Sequence, residues 1–181
     1  MSSTHPGRRA TAAAFMLLAA VGLGSSVLAD DGASAGGIAY GLSLAPVPLN
    51  LKGLDRALVA RGSYIVNAQG DCNGCHSKRE FAPGEDPYKG QPIRIDQQAY
   101  LAGGQQFGPG VVSTNLTPDA KGLPEGHTFK QFLTAIRAGR DPEDGHILQV
   151  MPWPTYRNMT DYDLRAIYEH LRAVPSRGRH G

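Results

Sequence analysis

With 181 residues, 41% of them hydrophobic and 19% charged, the chain has the make-up of one ordinary globular domain plus an appendage. Its 23 glycines and 13 prolines predict much turn and irregular structure between a few helices. Without the predicted leader described next, 16 basic and 16 acidic residues remain, a formal charge of 0 that argues against nucleic acid or an anionic surface as partner.

Residues 1–29 read as a secretory signal peptide. Arg8 and Arg9 form a positive start, Ala12 to Leu23 is a run of small and apolar residues, and Val27-Leu28-Ala29 is a cleavage pattern. The run falls short of the roughly 20 residues that span a bilayer, so cleavage after Ala29 is expected over an uncleaved anchor. The expected location is the periplasm. Residues 30–53, rich in Gly, Ala, Ser and Pro, read as a flexible lead-in or a strap lying on the domain.

A first helix is predicted over 55–69. Asp55 is its N-cap, and Leu58, Gly62, Ile65 and Val66 share a face. A glycine inside a helix costs about 1 kcal/mol against alanine, which a close helix crossing would justify. From 77 to 126 prolines and glycines recur too often for regular structure. So long an irregular stretch suits a chain wrapped around a bulky apolar group that is not protein. A second helix is predicted over 128–138, with capping-box spacing between Thr128 and Gln131, and Phe129, Phe132, Leu133 and Ile136 on one face. A third runs over 160–174, capped by Thr160, with Leu164, Ile167, Tyr168 and Leu171 as its buried stripe and Pro175 as its stop.

Between the first helix and the irregular stretch lies Cys72-Asn73-Gly74-Cys75-His76, the C-x-x-C-H signature of covalent haem attachment. Thiols three residues apart lie on one side of a helical turn, where they can add across two neighbouring vinyl groups. The following imidazole can then ligate iron. A zinc site would need two further ligands at matching spacing. A thioredoxin-like dithiol would follow a strand rather than a helix. A disulfide closing so small a loop would constrain little. The expected cofactor is one covalently bound haem c per chain, held by Cys72 and Cys75, with His76 as an axial iron ligand.

Outside the leader only Met151 and Met159 could supply a thioether to the sixth iron position. Met159 precedes the Thr160 cap and stands at hydrophobic-staple spacing from Leu164, which gives it a structural role. Met151 has no such role and opens the proline-stiffened run Met151-Pro152-Trp153-Pro154. Met151 is therefore the expected ligand. His146 is the best of the histidine alternatives, with His127 behind it, and His170 is expected to be solvated.

The region 54–175 resembles class I cytochrome c domains, and more closely the cytochrome subunits of membrane-associated bacterial dehydrogenases for alcohols, aldehydes and sugar acids. Carrying the resemblance are Ala60-Arg61-Gly62-Ser63-Tyr64 leading into Cys72–His76, then Gly103-Gly104, Ser113-Thr114-Asn115-Leu116-Thr117-Pro118-Asp119 and Phe132-Leu133-Thr134-Ala135-Ile136-Arg137-Ala138-Gly139. Met151-Pro152-Trp153-Pro154, Met159-Thr160-Asp161 and Ala166-Ile167-Tyr168 complete it. The resemblance implies an all-α class I cytochrome c fold, three main helices and long loops around one haem. It implies a meeting of Gly62 with Tyr168 where the first and third helices cross, Met151 as distal ligand, and Thr114 and Asn115 near the haem propionates. Such subunits often hold three domains and a membrane anchor. Here one domain ends in a polar tail, 176–181, so a stand-alone carrier is expected and membrane association is not required.

The expected function is one-electron transfer from a redox donor, such as a periplasmic dehydrogenase, to an acceptor such as an oxidase or another cytochrome. No catalytic constellation appears. The alternatives are a haem enzyme or gas sensor with an open sixth site, and a thiol–disulfide oxidoreductase using Cys72 and Cys75.

Overall fold

The computed structural model describes Met1 and residues 34–178. Apart from Met1, the predicted leader 1–29 lies outside the described residues. Six helices and one small ribbon follow one another: α1 Ala35–Ser43, α2 Arg56–Tyr64, α3 Cys72–Cys75, β1 Gln106–Gly108, β2 Val111–Val112, α4 Phe129–Ala138, α5 Trp153–Tyr156 and α6 Asp161–Ala173.

The centre of the fold is the crossing of α2 and α6. A Cβ placed on Gly62 would stand 1.9 Å from the Ala166 carbonyl oxygen and 2.8 Å from His170 Cβ, so only glycine lets the two backbones approach this closely. The expected crossing is present, but Gly62 meets Ala166 and His170 rather than Tyr168. Arg61 Nε ties the same pair of helices to Asp163 at 2.9 Å. Tyr168 turns instead to α4, where its ring lies 5.3 Å from Phe129 and 5.6 Å from Phe132. Val66, Leu101, Ile136, Leu164 and Leu171 fill the core between these elements.

The three predicted helices form with the predicted caps. Asp55 accepts from Ala57 and Leu58, Thr128 and Gln131 close a capping box, and Thr160 accepts from Asp163. The first helix changes character at its end: residues Ile65–Gln69 form a π-helical turn just before the cysteine motif, a wide turn often seen beside functional sites.

Two further expectations are corrected, and a choice between two readings of one segment is decided. The chain is mostly helical but not purely α, because β1 and β2 pair antiparallel, with an irregular register between Gln106 and Gly108. In the segment 30–53, expected as a flexible lead-in or a strap, Ser34 caps α1, and α1 lies so close to α2 that a Cβ on Gly41 would stand 2.3 Å from the Ala60 carbonyl oxygen. Val47 enters the core, and Asn50 donates its backbone N–H to Ala173, so the segment acts as the strap. His170 is fully buried rather than solvated. The glycine opposite it on α2 brings that face of α6 into the core, a consequence of tertiary packing that helix periodicity alone does not carry. Among the described residues no helix is long and apolar enough to cross a membrane.

Candidate functional site

The cysteine motif is built on a single short helix held from behind. Asn73, 5% exposed, points away from solvent, and its side-chain oxygen accepts from Ser77 Oγ and, at 3.3 Å, from the Leu101 backbone N–H. That anchor fastens α3 to the irregular stretch. The burial of Asn73 depends on Leu101, 28 residues away, which spacing cannot report. Cys72 and Cys75 are not bonded to each other. Burial, then the neighbouring Asp71 carboxylate, pushes the Cys72 thiol up to about 12, and the same two causes raise Cys75. A redox-active dithiol needs a lowered thiol pKa, so these surroundings count against thiol–disulfide exchange.

His76 Nδ1 lies 2.9 Å from the Thr114 carbonyl oxygen. A carbonyl can only accept, so Nδ1 carries the proton and Nε2 is left with its lone pair. This is how proteins fix the tautomer of a metal-binding imidazole. Burial holds His76 below its ordinary pKa, with the Thr114 contact opposing it, which keeps the ring neutral. Gly103, at φ 71°, packs directly on Thr114: a Cβ there would lie 2.5 Å from the Thr114 carbonyl carbon. Its N–H also binds the His76 carbonyl at 2.7 Å. The Gly103-Gly104 pair thus serves as the clamp on the imidazole.

Opposite stands the methionine loop. Gly139 ends α4 in a left-handed conformation, and the Trp153 ring sits against it so tightly that a Cβ would be 2.1 Å from the indole. Trp153 Nε1 donates to the Leu148 carbonyl at 3.2 Å, and Tyr156 Oη donates to the Gly70 carbonyl at 2.6 Å. The second bond ties the methionine loop to the attachment loop. Val150, immediately before Met151, has φ 68°. For a β-branched residue this is a strained backbone, and such strain persists where surrounding contacts dictate a particular geometry.

Between these walls lies an apolar cleft enclosing about 1270 Å³ of atom-free space, part of it open to solvent. Cys72, Cys75, His76, Thr114, Met151 and Met159 all line it. The structure therefore brings together the predicted attachment residues, the predicted proximal ligand and both methionines. His127, His146 and His170 do not line it. His146 lies on the surface beside Asp144, with Nδ1 and Oδ1 2.6 Å apart. His127 lies between Glu125 and Glu143, and His170 faces Tyr100. Asn115 is also absent from the lining: its carbonyl accepts from Thr117 and its amide N–H donates to Gly178. The expected pair Thr114 and Asn115 thus splits, with Thr114 at the cleft and Asn115 turned to the C-terminal segment.

These residues suit a haem of the c type: two thiols on one turn, a neutral imidazole of fixed tautomer beside them, a thioether on the facing wall, and an apolar cavity between. Cys72, Cys75 and His76 are the residues that would hold it, with Met151 or Met159 opposite.

No protein-family model matches the chain. Among curated proteins it is 29% identical over 141 residues to the cytochrome c subunit of alcohol dehydrogenase (quinone) from Gluconacetobacter polyoxogenes, which covers 77% of this chain and 26% of that protein. It is 32% identical over 118 residues to the gluconate 2-dehydrogenase cytochrome c subunit of Pantoea cypripedii, 64% of this chain and 23% of that protein. The fructose dehydrogenase cytochrome subunit of Gluconobacter japonicus matches at 29% over 119 residues, 64% of this chain and 21% of that protein. The chain spans about a quarter of the length of these relatives. Over most of its length, the chain resembles the cytochrome c subunits of bacterial alcohol, gluconate and fructose dehydrogenases.

Proposed function

We propose that this protein is an exported one-electron carrier with a single covalent haem c, taking electrons from a dehydrogenase and passing them to an acceptor such as an oxidase or another cytochrome. The observation that carries the reading is the meeting of Cys72, Cys75, tautomer-fixed His76 and Met151 in one apolar cleft. The three relatives named above are cytochrome subunits of dehydrogenases by name, which supports a dehydrogenase as donor. The predicted leader 1–29 and domain 54–175 support export of one haem domain.

The haem, when bound, supplies the reversible one-electron couple. Everything else falls to the chain. Cys72 and Cys75 fix the cofactor against α3. Thr114 and Gly103 hold the His76 ring so that its lone pair faces the cleft. Met151 offers a sulfur from a loop whose backbone is set by Pro152, Val150 and the Trp153–Gly139 contact; the thioether ligand raises the potential of such couples. The apolar side chains exclude water, which keeps the low-dielectric surroundings the same in both oxidation states.

The direct experiment is expression in a bacterium that matures c-type cytochromes. The wild-type protein is expected to retain its colour through acid extraction. Cys72→Ala and Cys75→Ala variants are expected to accumulate without stable haem. Colour that a Cys72→Ala/Cys75→Ala double variant retains through acid extraction would defeat the reading.

A further inference from the structure

Three carboxylates, Asp71, Glu125 and Asp141, line the cleft, and no lysine or arginine does so among the described residues. Two of them are answered locally. Glu125 faces His127, with Oε2 and Nδ1 3.5 Å apart, and Asp141 accepts the Glu143 backbone N–H at 2.7 Å. Asp71 differs. It precedes Cys72 in a left-handed conformation, φ 45° and ψ 43°, and its side chain caps nothing. Its carboxylate folds back over the motif: a Cβ on Gly74 would stand 2.7 and 2.9 Å from its two oxygens. A left-handed backbone is costly for any residue with a Cβ, though Asp and Asn tolerate it best. This backbone places a carboxylate, with no ion-pair partner among the described residues, directly on the attachment turn. Its reach is visible at Glu80, where after burial the Asp71 charge is the next cause raising the carboxyl.

From this geometry we infer that Asp71 is a potential-setting residue, a fixed negative charge that holds the reduction potential of the cleft's cofactor down. The inference rests on the one-electron reading above. One electron enters from a reduced donor protein and leaves to an oxidised acceptor. While it is held, the site carries one more unit of negative charge, which a carboxylate at the cleft wall disfavours. Asp71 thereby opposes the upward pull of a thioether ligand and sets which acceptors the carrier can reduce.

The test is a redox titration of the haem-loaded full chain. Asp71→Asn keeps the size and the tolerance of a left-handed backbone and removes the charge. At a fixed solution potential in low salt it is expected to raise the reduced-to-oxidised ratio by about threefold or more. Asp71→Glu, which keeps the charge, is expected to stay near the wild type. Since Asp71 is exposed, added salt is expected to move the wild type toward the Asn variant, a readout that needs no variant at all. A purely structural role predicts the reverse pattern, with Glu perturbing and Asn not. Equal potentials for wild type and Asp71→Asn, with haem attached in both, would overturn the inference and leave the carrier reading intact. A wild-type chain that attaches no haem would overturn both.

Discussion

Val150 at positive φ and Trp153 pressed on Gly139 hold Met151 at the cleft, whereas Met159 also belongs to the structural joint between α4 and α6. Arg137 reaches from α4 to the Met159 carbonyl at 2.7 Å, a bond Met151 lacks among the described residues, while both methionines pack against the core. The two methionines should therefore respond differently to truncation. Met151→Ala is expected to change the visible spectrum, admit carbon monoxide to the reduced protein and lower the reduction potential. Met159→Ala is expected to leave the spectrum alone and cost about 1–2 kcal/mol in a denaturant titration, below the range for fully buried methionines because the side chain is half-buried. An unchanged spectrum for Met151→Ala, with a changed one for Met159→Ala, would exchange their roles. Carbon monoxide binding tightly to the unaltered protein would favour an open sixth site. A second residue-scale prediction concerns Asn73. Replacing it with alanine leaves the Leu101 N–H without one of its two side-chain acceptors, the other being Ser77 Oγ, and should cost about 1–3 kcal/mol, read by thermal or denaturant unfolding.

At the scale of elements, the α2–α6 crossing decides whether the cleft has a floor, since Ile65 on one side and Leu164, Ile167 and Leu171 on the other all line it. Gly62→Ala gains about 1 kcal/mol of helix propensity, but its methyl must displace the Ala166 carbonyl. Overpacking of this kind costs about 3 kcal/mol or more when backbone has to move, so a net loss of stability is expected in chemical denaturation. A stabilised variant would mean that the two helices are not in contact. The helices themselves were legible from capping residues and apolar periodicity, and so was the cysteine motif, because these signals are local. Helix α1 within the strap was not, since its stability comes from Gly41 against Ala60 rather than from helix propensity, and two of its nine residues before Gly41 are glycine. Nor was the ribbon β1–β2, only three and two residues long. The clamp of Gly103 on Thr114 joins residues whose proximity follows from the loop path alone. His170 was misread because helix periodicity assigns one buried stripe, while α6 is buried on a second side by α2.

For the whole molecule, His170 gives the fold a pH dependence of definite sign. Tyr100 Oη donates to Asn67 Oδ1 at 2.8 Å, so His170 Nε2, 3.1 Å from the same oxygen, must carry the imidazole proton. Nδ1 is then a buried acceptor with no hydrogen-bond partner among the described residues. Burial pushes the imidazole down to about 3 in the folded chain. The unfolded chain therefore binds the extra proton between its ordinary value near 6.5 and about 3, and the folded chain does not. Stability is fully present above pH 6.5 and is lost as pH falls through that window, by up to about 1.4 kcal/mol per pH unit. Equilibrium unfolding from pH 7.5 to 4 is expected to show this slope in the wild type and a shallower one in His170→Gln; parallel profiles would refute the assignment.

The expectations for the cleft presuppose that porphyrin is joined covalently to Cys72 and Cys75. Intact-mass spectrometry of the mature protein, purified from a host that performs this attachment, tests that most directly. The account predicts the mass of the polypeptide beginning at Asp30 plus one haem, with the added mass mapping to the peptide that contains both cysteines. A colourless product whose mass equals that of polypeptide alone would contradict it.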